Sequence, residues 1–277
     1  MDTFNLTLTR AADWVFGWCQ RLSPLATLLL LSAVAGVAMA VVFRVSSNQR
    51  AIKAAVDRSR AQVLAINLFG HDPRAIFASF AQLLRYTGLR LSYSLPPMLL
   101  MLIPFTLLLV QLAMRYEHQP LAGGESTIVK LELAPEAWSD HQRVALKSSP
   151  QVKVETPALR DATEHAVYWR VRPLGSTPAV LAWQIDGQTI EKRLDVSGDD
   201  VALSAVGVRR PGRGIVDRLL YPAEPALPAA GPVRGIEVQH APRQTPLFGL
   251  DVPWWLTFVL GSIVAALLLR PILRVRY

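Results

Sequence analysis

The sequence has little of what enzymes and metal proteins use. It contains a single cysteine, Cys19, so no disulfide can form within the chain. It has no phosphate-binding glycine loop, no G-x-G-x-x-G after a strand, no H-E-x-x-H and no paired-cysteine motif. The five histidines are scattered without metal-ligand spacing. We therefore predict no catalytic residues, no metal site and no cofactor.

Charged residues are scarce as well, at 18% of the chain, whereas 51% of its residues are hydrophobic. This balance excludes an ordinary soluble domain of 277 residues. Crossing a bilayer as a helix takes about 20 apolar residues. Three stretches satisfy this length, and we predict transmembrane helices at residues 24–44, 93–114 and 253–273.

The positive charge is confined to two parts of the chain. The segment 44–94 holds eight basic and two acidic residues, and residues 270–277 add three arginines. The segment 115–252 has a net charge of −1, so the overall +8 does not indicate a DNA-binding protein. The positive-inside tendency places the first segment and the tail 274–277 in the cytoplasm. It places the N-terminus and the large middle region outside.

An alternative topology treats residues 24–40 as the core of a signal peptide, with Ala38-Met39-Ala40 as its cleavage site. Cleavage would leave the basic segment 44–94 outside the membrane, against the positive-inside tendency. The preceding region is also neutral and aromatic, whereas a signal peptide begins with basic residues. These features favour an uncleaved transmembrane helix.

Residues 1–23 mix apolar and polar positions just before the first transmembrane helix. Trp14 and Trp18 lie near that helix, and tryptophan favours the membrane–water interface. The segment is therefore interpreted as an interfacial amphipathic helix, with a hydrated N-terminal tail as the alternative.

Small residues recur at four-residue spacing in the first transmembrane stretch, at Ser32, Gly36 and Ala40. The third stretch repeats a weaker version with Gly261 and Ala265. Small side chains at this spacing let two helices approach closely. We therefore expect the first stretch to pack against the other transmembrane helices.

The basic segment 45–92 has the pattern of two antiparallel helices. Apolar residues follow a helical period over residues 48–69, and residues 70–73 break that helix. A second helix follows, and Gly88 is predicted to end it. The basic side chains have three candidate partners, which are anionic lipid headgroups, ribosomal RNA and an acidic protein. The residues concerned are Arg50, Lys53, Arg58, Arg60, Arg74, Arg85 and Arg90.

Several motifs in about the first 115 residues occur in an order that is typical of one protein family. They are Trp14-Val15-Phe16-Gly17-Trp18, the apolar residues 24–43, the basic hairpin, Leu83-Leu84-Arg85-Tyr86-Thr87-Gly88, Leu95-Pro96-Pro97 and Ile103-Pro104-Phe105. This order resembles the YidC-type membrane insertases of bacteria, mitochondria and chloroplasts, in which a basic cytoplasmic hairpin joins two transmembrane helices. The resemblance implies that the chain takes hydrophobic segments into the bacterial cytoplasmic (inner) membrane, with lipids, nascent membrane proteins and the ribosome as partners.

The chain departs from this family at one position. Bacterial members carry an arginine inside the first core helix, facing a groove that is open to the cytoplasm. The corresponding position here is near Met39. A charge at mid-membrane costs roughly 2.5–3.5 kcal/mol, so a protein keeps a charged residue there only where that residue has a function. Its absence argues against the usual mechanism. The candidate groove residues of this chain are Arg44, Ser94, Pro104, Thr106 and Gln111, and Pro104 is expected to kink the second helix.

The sequence pattern changes over residues 115–250, where apolar and polar positions alternate. The clearest strands are predicted at residues 127–133 and in a hairpin that turns at Asp186-Gly187. Several short strands with proline- and glycine-rich joints predict a β-sandwich. Residues 219–232 are expected to form an extended connection. The cluster Arg209-Arg210-Pro211-Gly212-Arg213 is interpreted as exposed loop, with an anionic envelope partner as the alternative.

We therefore predict an α+β membrane protein with three transmembrane helices, a cytoplasmic helical hairpin and an extracytoplasmic, periplasmic β-sandwich. The sandwich follows the second transmembrane helix, whereas the external domain of Gram-negative YidC precedes the hairpin, so the role of that domain is not carried over. The resemblance implies a non-enzymatic insertion or assembly factor that works without nucleotide hydrolysis. The alternative is a membrane-anchored envelope scaffold whose periplasmic domain binds a partner protein or a glycan.

Overall fold

The computed structural model describes residues 2–19, 22–69, 71–138, 144–147, 149–185, 187–197, 203–228, 231–247 and 249–273. The chain forms two compact units. One consists of Met1–Thr27 with Leu107–Trp255, and the other of Leu28–Thr106 with Leu256–Tyr277. The predicted cytoplasmic tail, residues 274–277, lies outside the described residues.

The described residues form six α-helices, which we label in chain order. They are α1 Asp2–Trp18, α2 Pro24–Ser46, α3 Gln49–Leu68, α4 Pro73–Tyr116, α5 Ile215–Leu220 and α6 Trp254–Leu273. By length and composition, α2 and α4 are long and apolar enough to cross a membrane. The apolar helix Trp254–Leu269 within α6 is shorter and does not reach that length. The helix α3 confirms the helical period predicted over residues 48–69, and α2 is a helix over the predicted apolar stretch 24–44.

One predicted helix end is wrong. Gly88 does not end a helix, because α4 continues from Pro73 to Tyr116 over 44 residues. A single glycine costs a helix only about 1 kcal/mol relative to alanine, which strong helix formers on either side can offset. Pro96, Pro97 and Pro104 also lie inside α4. Each removes one backbone donor, which a helix tolerates where its surroundings satisfy the freed carbonyl groups.

The first part of α4 and α3 form the predicted antiparallel hairpin. Gln62 Nε2 donates to Gln82 Oε1 at 3.0 Å. The Arg58 guanidinium lies 5.7 Å from the centre of the Tyr86 ring. A step of four residues backward along α3 therefore matches a step of four residues forward along α4, which is the register of two antiparallel helices.

A β-sandwich confirms the architecture predicted for the middle of the chain. The first sheet has the strand order β3-β5-β1-β9-β8, with β4 also paired to β5, and the second has the order β2-β6-β7, when the described strands are numbered in chain order. Buried residues of both sheets form one core, and the rings of Trp169 and Trp183 meet in it with centroids 6.1 Å apart. The strands are β1 Thr127–Leu133, β2 Ala145–Leu146, β3 Val152–Val154, β4 Leu159–Asp161, β5 Ala166–Pro173, β6 Ala179–Ile185, β7 Gln188–Leu194, β8 Arg209–Arg210 and β9 Val233–Val238.

Local sequence signals account for the strands and for the clearest turn. In β1 every second residue is buried, as the alternating pattern requires. The hairpin of β6 and β7 pairs Ile185 with Gln188, which leaves two residues for the turn. Gly187 has a φ of +81°, a conformation that glycine adopts without strain. Asp186, the other predicted turn residue, lies outside the described residues.

The arginine cluster after residue 208 is not the exposed loop that we expected. Arg209 and Arg210 form β8, which pairs with β9. Arg209 Nη2 bonds to Glu132 Oε2 at 2.9 Å, and Arg210 Nε donates to Pro225 O at 3.1 Å. These arginines hold the sandwich together, because their partners come from distant strands and loops. The extended connection expected at residues 219–232 also begins within a helix, since α5 ends at Leu220.

Candidate functional site

A groove of about 660 Å³ lies between α2, α4 and α6 within the unit Leu28–Thr106 with Leu256–Tyr277. Its lining is mainly apolar and includes three methionines, three hydroxyl side chains and one arginine. The lining residues are Gly36, Met39, Ala40 and Phe43 of α2, Thr87, Arg90, Leu91, Ser94, Met98 and Met101 of α4, and Ser262, Ile263, Ala266 and Leu267 of α6.

Direct contact between α2 and α6 closes one side of the groove. A Cβ atom added to Gly36 would lie 2.1 Å from Ser262 O, and one added to Gly261 would lie 2.4 Å from Ser32 Oγ. At the first position the neighbour is backbone, so only glycine fits. The predicted close packing at small residues is therefore confirmed for these two helices.

Apolar side chains hold α4 against the other two helices. Phe43 of α2, Ile52 of α3 and Met101 of α4 form a buried cluster. On the other side, the ring of Phe105 in α4 stacks on Phe258 of α6 with centroids 5.9 Å apart. The three helices are thus fixed by pairwise contacts, and the groove is the space that these contacts leave open.

Among the described residues that line the groove, Arg90 is the one that carries a charge. The hydroxyl groups beside it bond within their own helix, since Thr87 Oγ1 donates to Leu83 O at 2.8 Å and Ser94 Oγ donates to Arg90 O at 3.0 Å. The charge of the groove lining therefore comes from Arg90, which is an exposed residue. Met39 lines the same groove from α2.

Comparison with known proteins gives this groove no counterpart. No protein-family model, no curated protein and no solved structure matches the chain. Across the part of the chain that the structure describes, no group of three or more histidine, cysteine, aspartate or glutamate residues could hold a metal ion. The function of the groove must be inferred from its own residues.

The five predicted groove residues are not brought together. Ser94 lines the groove, whereas Arg44, Pro104 and Thr106 are exposed and lie outside its lining. Gln111 is buried and belongs to the other unit.

Helical periodicity could have located the groove face of α4. Thr106 lies about 120° around the helix from Ser94, at 100° per residue, so the two side chains cannot share a face. The candidate groove residues were predicted from their polarity alone, without regard to the face of the helix on which they lie. The methionines of the groove were therefore missed. The residues that do share the groove face recur at spacings of three or four, and they are Thr87, Arg90, Ser94, Met98 and Met101.

The seven predicted hairpin cations are all exposed. Four lie on α3 and three on α4, and the pairing of the two helices does not bury any of them. Large apolar side chains of the same hairpin are exposed as well, and Phe77 and Phe80 in the first part of α4 are 75% and 51% exposed. The hairpin therefore offers both cationic and apolar surface. Its exposed apolar residues include Leu64, Leu68, Phe69, Phe77, Phe80 and Leu84.

A buried arginine that the sequence analysis did not single out anchors α1 in the other unit. The side chain of Arg115, near the end of α4, is 0% exposed and forms an ion pair with Asp13 of α1. Arg115 Nη1 also donates to Gln111 O at 2.8 Å, and the guanidinium lies 4.6 Å from the centre of the Phe16 ring. The signal for this residue was an arginine directly after a long apolar run.

Proposed function

We propose that this chain is an integral membrane protein with three transmembrane helices, which are α2, the later part of α4, and α6. The apolar windows of α2 and α4 are only 33% buried. Val34 of α2, Ile103 of α4 and Leu268 of α6 are 58%, 67% and 71% exposed. Water opposes such exposure and lipid accommodates it. The 20 residues of α6 extend about 30 Å, which is the thickness of a bilayer core, and the apolar residues Trp254–Leu269 make up about 24 Å of that length.

In this arrangement the hairpin of α3 and α4 lies in the cytoplasm, and the β-sandwich lies in the periplasm of a bacterial cell. The distribution of basic residues supports this topology, since segment 44–94 has eight basic residues against two acidic ones. The N-terminal helix α1 lies on the same side as the sandwich.

Within the membrane the chain acts as an insertion or assembly factor for hydrophobic segments, as its resemblance to the YidC-type insertases implies. The observation that carries this proposal is the groove between three apolar helices. Three of the five methionines of the protein line it. Methionine is unbranched and polarizable, so it adapts to partners of different shape. Such a lining suits a factor that receives many different apolar segments.

Arg90 supplies the positive charge that the family carries on its first core helix. Met39 and Arg90 line the same groove from different helices, so the charge is provided by α4 instead of α2. A guanidinium at the side of an apolar groove binds carboxylate and phosphate groups well. It lowers the cost of bringing the polar end of a segment into the membrane, without nucleotide hydrolysis.

The test is site-specific photocrosslinking during translation of a short membrane protein. A photoreactive residue at Met98 faces the groove, and one at Leu102 is a matched control, because the two are 55% and 57% exposed and Leu102 lies outside the groove lining. We expect crosslinks to the nascent chain at Met98, few at Leu102, and none with a soluble client. Equal crosslinking at both positions, or crosslinks to one fixed partner, would contradict the proposal and favour the envelope scaffold.

Charge reversal tests the role of Arg90. Arg90→Glu should reduce insertion of a client with an acidic N-terminal tail, and Arg90→Lys should preserve most of it. Arg85→Glu is the control, because Arg85 is an exposed arginine of the same helix that does not line the groove. Equal effects of the two reversals would mean that the total charge of the hairpin matters and not the groove.

A further inference from the structure

The outward face of α1 is apolar and aromatic. Trp14 and Trp18 are 66% and 77% exposed and lie side by side, with ring centroids 5.5 Å apart. Asn5, Phe16 and Cys19 are buried on the opposite face. At 100° per residue the exposed and buried sets occupy opposite arcs of the helix. A tryptophan pair turned outward is typical of a surface that contacts the membrane interface.

Tyr116 places α1 beside the ends of all three apolar helices. Its ring lies 6.3 Å from the Phe16 ring of α1 and 6.4 Å from the Trp254 ring at the start of α6, measured between centroids. Its hydroxyl donates to Pro24 O at the start of α2, at 2.9 Å. Tyr116 is itself the last residue of α4. The helix α1 therefore lies beside the ends of these three helices that belong to the same unit.

The short helix α5 is joined to α1. Asn5 Nδ2 donates to Arg218 O at 2.9 Å. Asp217 faces the sandwich, where it accepts the Gly212 N–H group at 2.5 Å. This attachment leaves the apolar residues of α5 on its outer side, where Ile215, Val216 and Leu220 are 63%, 68% and 50% exposed.

We propose that α5 is a second interfacial helix, with Ile215, Val216 and Leu220 inserted into the headgroup region of the outer leaflet beside α1. The proposal rests on the membrane placement given under the proposed function. The three residues fall within an arc of about 140° on α5, so one flat surface can receive all of them. Helices of this kind bury their apolar face about 5–10 Å into the boundary between headgroups and acyl chains.

The lipid surface is the occupant that the contacts favour. The helix α5 is bonded to α1, which lies at the ends of the apolar helices, and Arg10 is exposed on the outer arc of α1, where it can meet lipid phosphate. Together α1 and α5 would keep the sandwich close to the membrane surface. Sequence analysis missed α5, because six residues are too few for a periodic signal.

Nitroxide labels on single cysteines test this proposal in the full chain. In a Cys19→Ser background, labels replace Val216, Leu159 or Leu102, and the protein is reconstituted into phosphatidylethanolamine–phosphatidylglycerol vesicles. Collisions with oxygen, which concentrates in lipid, are compared with collisions with a water-soluble nickel complex. Leu159 of β4 is the matched control, because it and Val216 are each 68% exposed. Leu102 reports whether α4 lies in lipid.

We expect the ratio of oxygen to nickel collisions at Val216 to be several-fold higher than at Leu159 and closer to that at Leu102. Equal ratios at Val216 and Leu159, with Leu102 in lipid, would overturn the interfacial role of α5 and leave the transmembrane helices in place. They would favour a protein partner for this surface. A water-like ratio at Leu102 would overturn the membrane placement itself and the role of α5 with it.

Discussion

Replacement of Gly36 by alanine should separate α2 from α6 and destabilise the helical unit that forms the groove. The added Cβ would lie 2.1 Å from Ser262 O, so the two helices must move apart by more than 1 Å to reach the 3.4 Å of an ordinary contact. Because the obstacle is a backbone atom, no change of side-chain rotamer relieves it.

The size of the effect follows from two opposing contributions. Overpacking costs about 1–3 kcal/mol, and the rigid obstacle at Gly36 places this substitution in the upper half of that range. Alanine recovers about 1 kcal/mol through its better helix propensity. We therefore expect a net loss of about 1–2 kcal/mol, which is roughly a tenfold decrease in the ratio of folded to unfolded protein. A titration with sodium dodecyl sulfate in mixed micelles measures this change.

Two further variants separate this steric reason from a general effect of alanine. Gly88→Ala is the matched control, because nothing lies within 4 Å of a Cβ at Gly88, and it should stabilise the same unit by about 1 kcal/mol. Gly261→Ala meets the side-chain oxygen of Ser32 and should be partly rescued by Ser32→Ala. If Gly36→Ala stabilised the protein as much as Gly88→Ala does, the contact between α2 and α6 would be refuted.

Three other predictions concern buried charges and a buried histidine in the unit that holds the sandwich. Asp13→Ala should lower the free energy of unfolding by about 1–2 kcal/mol in the same detergent titration, because it leaves the buried Arg115 unpaired. The loss is modest because Asp13 itself is 55% exposed. An unchanged midpoint would contradict the ion pair. Glu224→Ala should lower the thermal midpoint by an amount equivalent to about 3–5 kcal/mol, because Lys192 is 0% exposed, and Lys192→Met combined with Glu224→Leu should recover most of it. Burial lowers the pKa of His240 from 6.5 to about 4, so the folded state favours the neutral ring. Protonation of this buried ring therefore costs the folded state up to about 3 kcal/mol, a penalty that is absent above pH 6.5 and grows as the pH falls from 6.5 towards 4. His240→Gln should flatten the dependence of the thermal midpoint on pH across that window, and an unchanged slope would contradict the assignment.

Local patterns determined the elements of this protein. The lengths of the apolar stretches, the helical period of the hairpin and the alternation in β1 each reflect a repeat that nearby residues carry alone. The same is true of Gly187, whose positive φ the turn requires, and of Gly36, whose small size predicted a close helix contact. These features were predictable because the physical cause lies within a few residues of the effect.

Sequence patterns were a poor guide where two distant parts of the chain meet. The groove needs the faces of three helices to be known together, and the polarity of single residues selected Ser94 but missed Met98 and Met101. The seven hairpin cations, in contrast, were exposed as expected, because a solvated charge needs no particular partner.

Tertiary structure alone decided which polar residues are structural. Asp13 and Arg115 are separated by 102 positions in the chain, and only the approach of α1 to α4 pairs them. Arg209 likewise meets Glu132 across the sheet, although its neighbours in sequence suggested an exposed loop. The length of an apolar helix is determined by its own residues, because each contributes to burial independently. The pairing of a buried charge depends on which partner the completed fold brings within a few ångströms, and no local pattern carries that information.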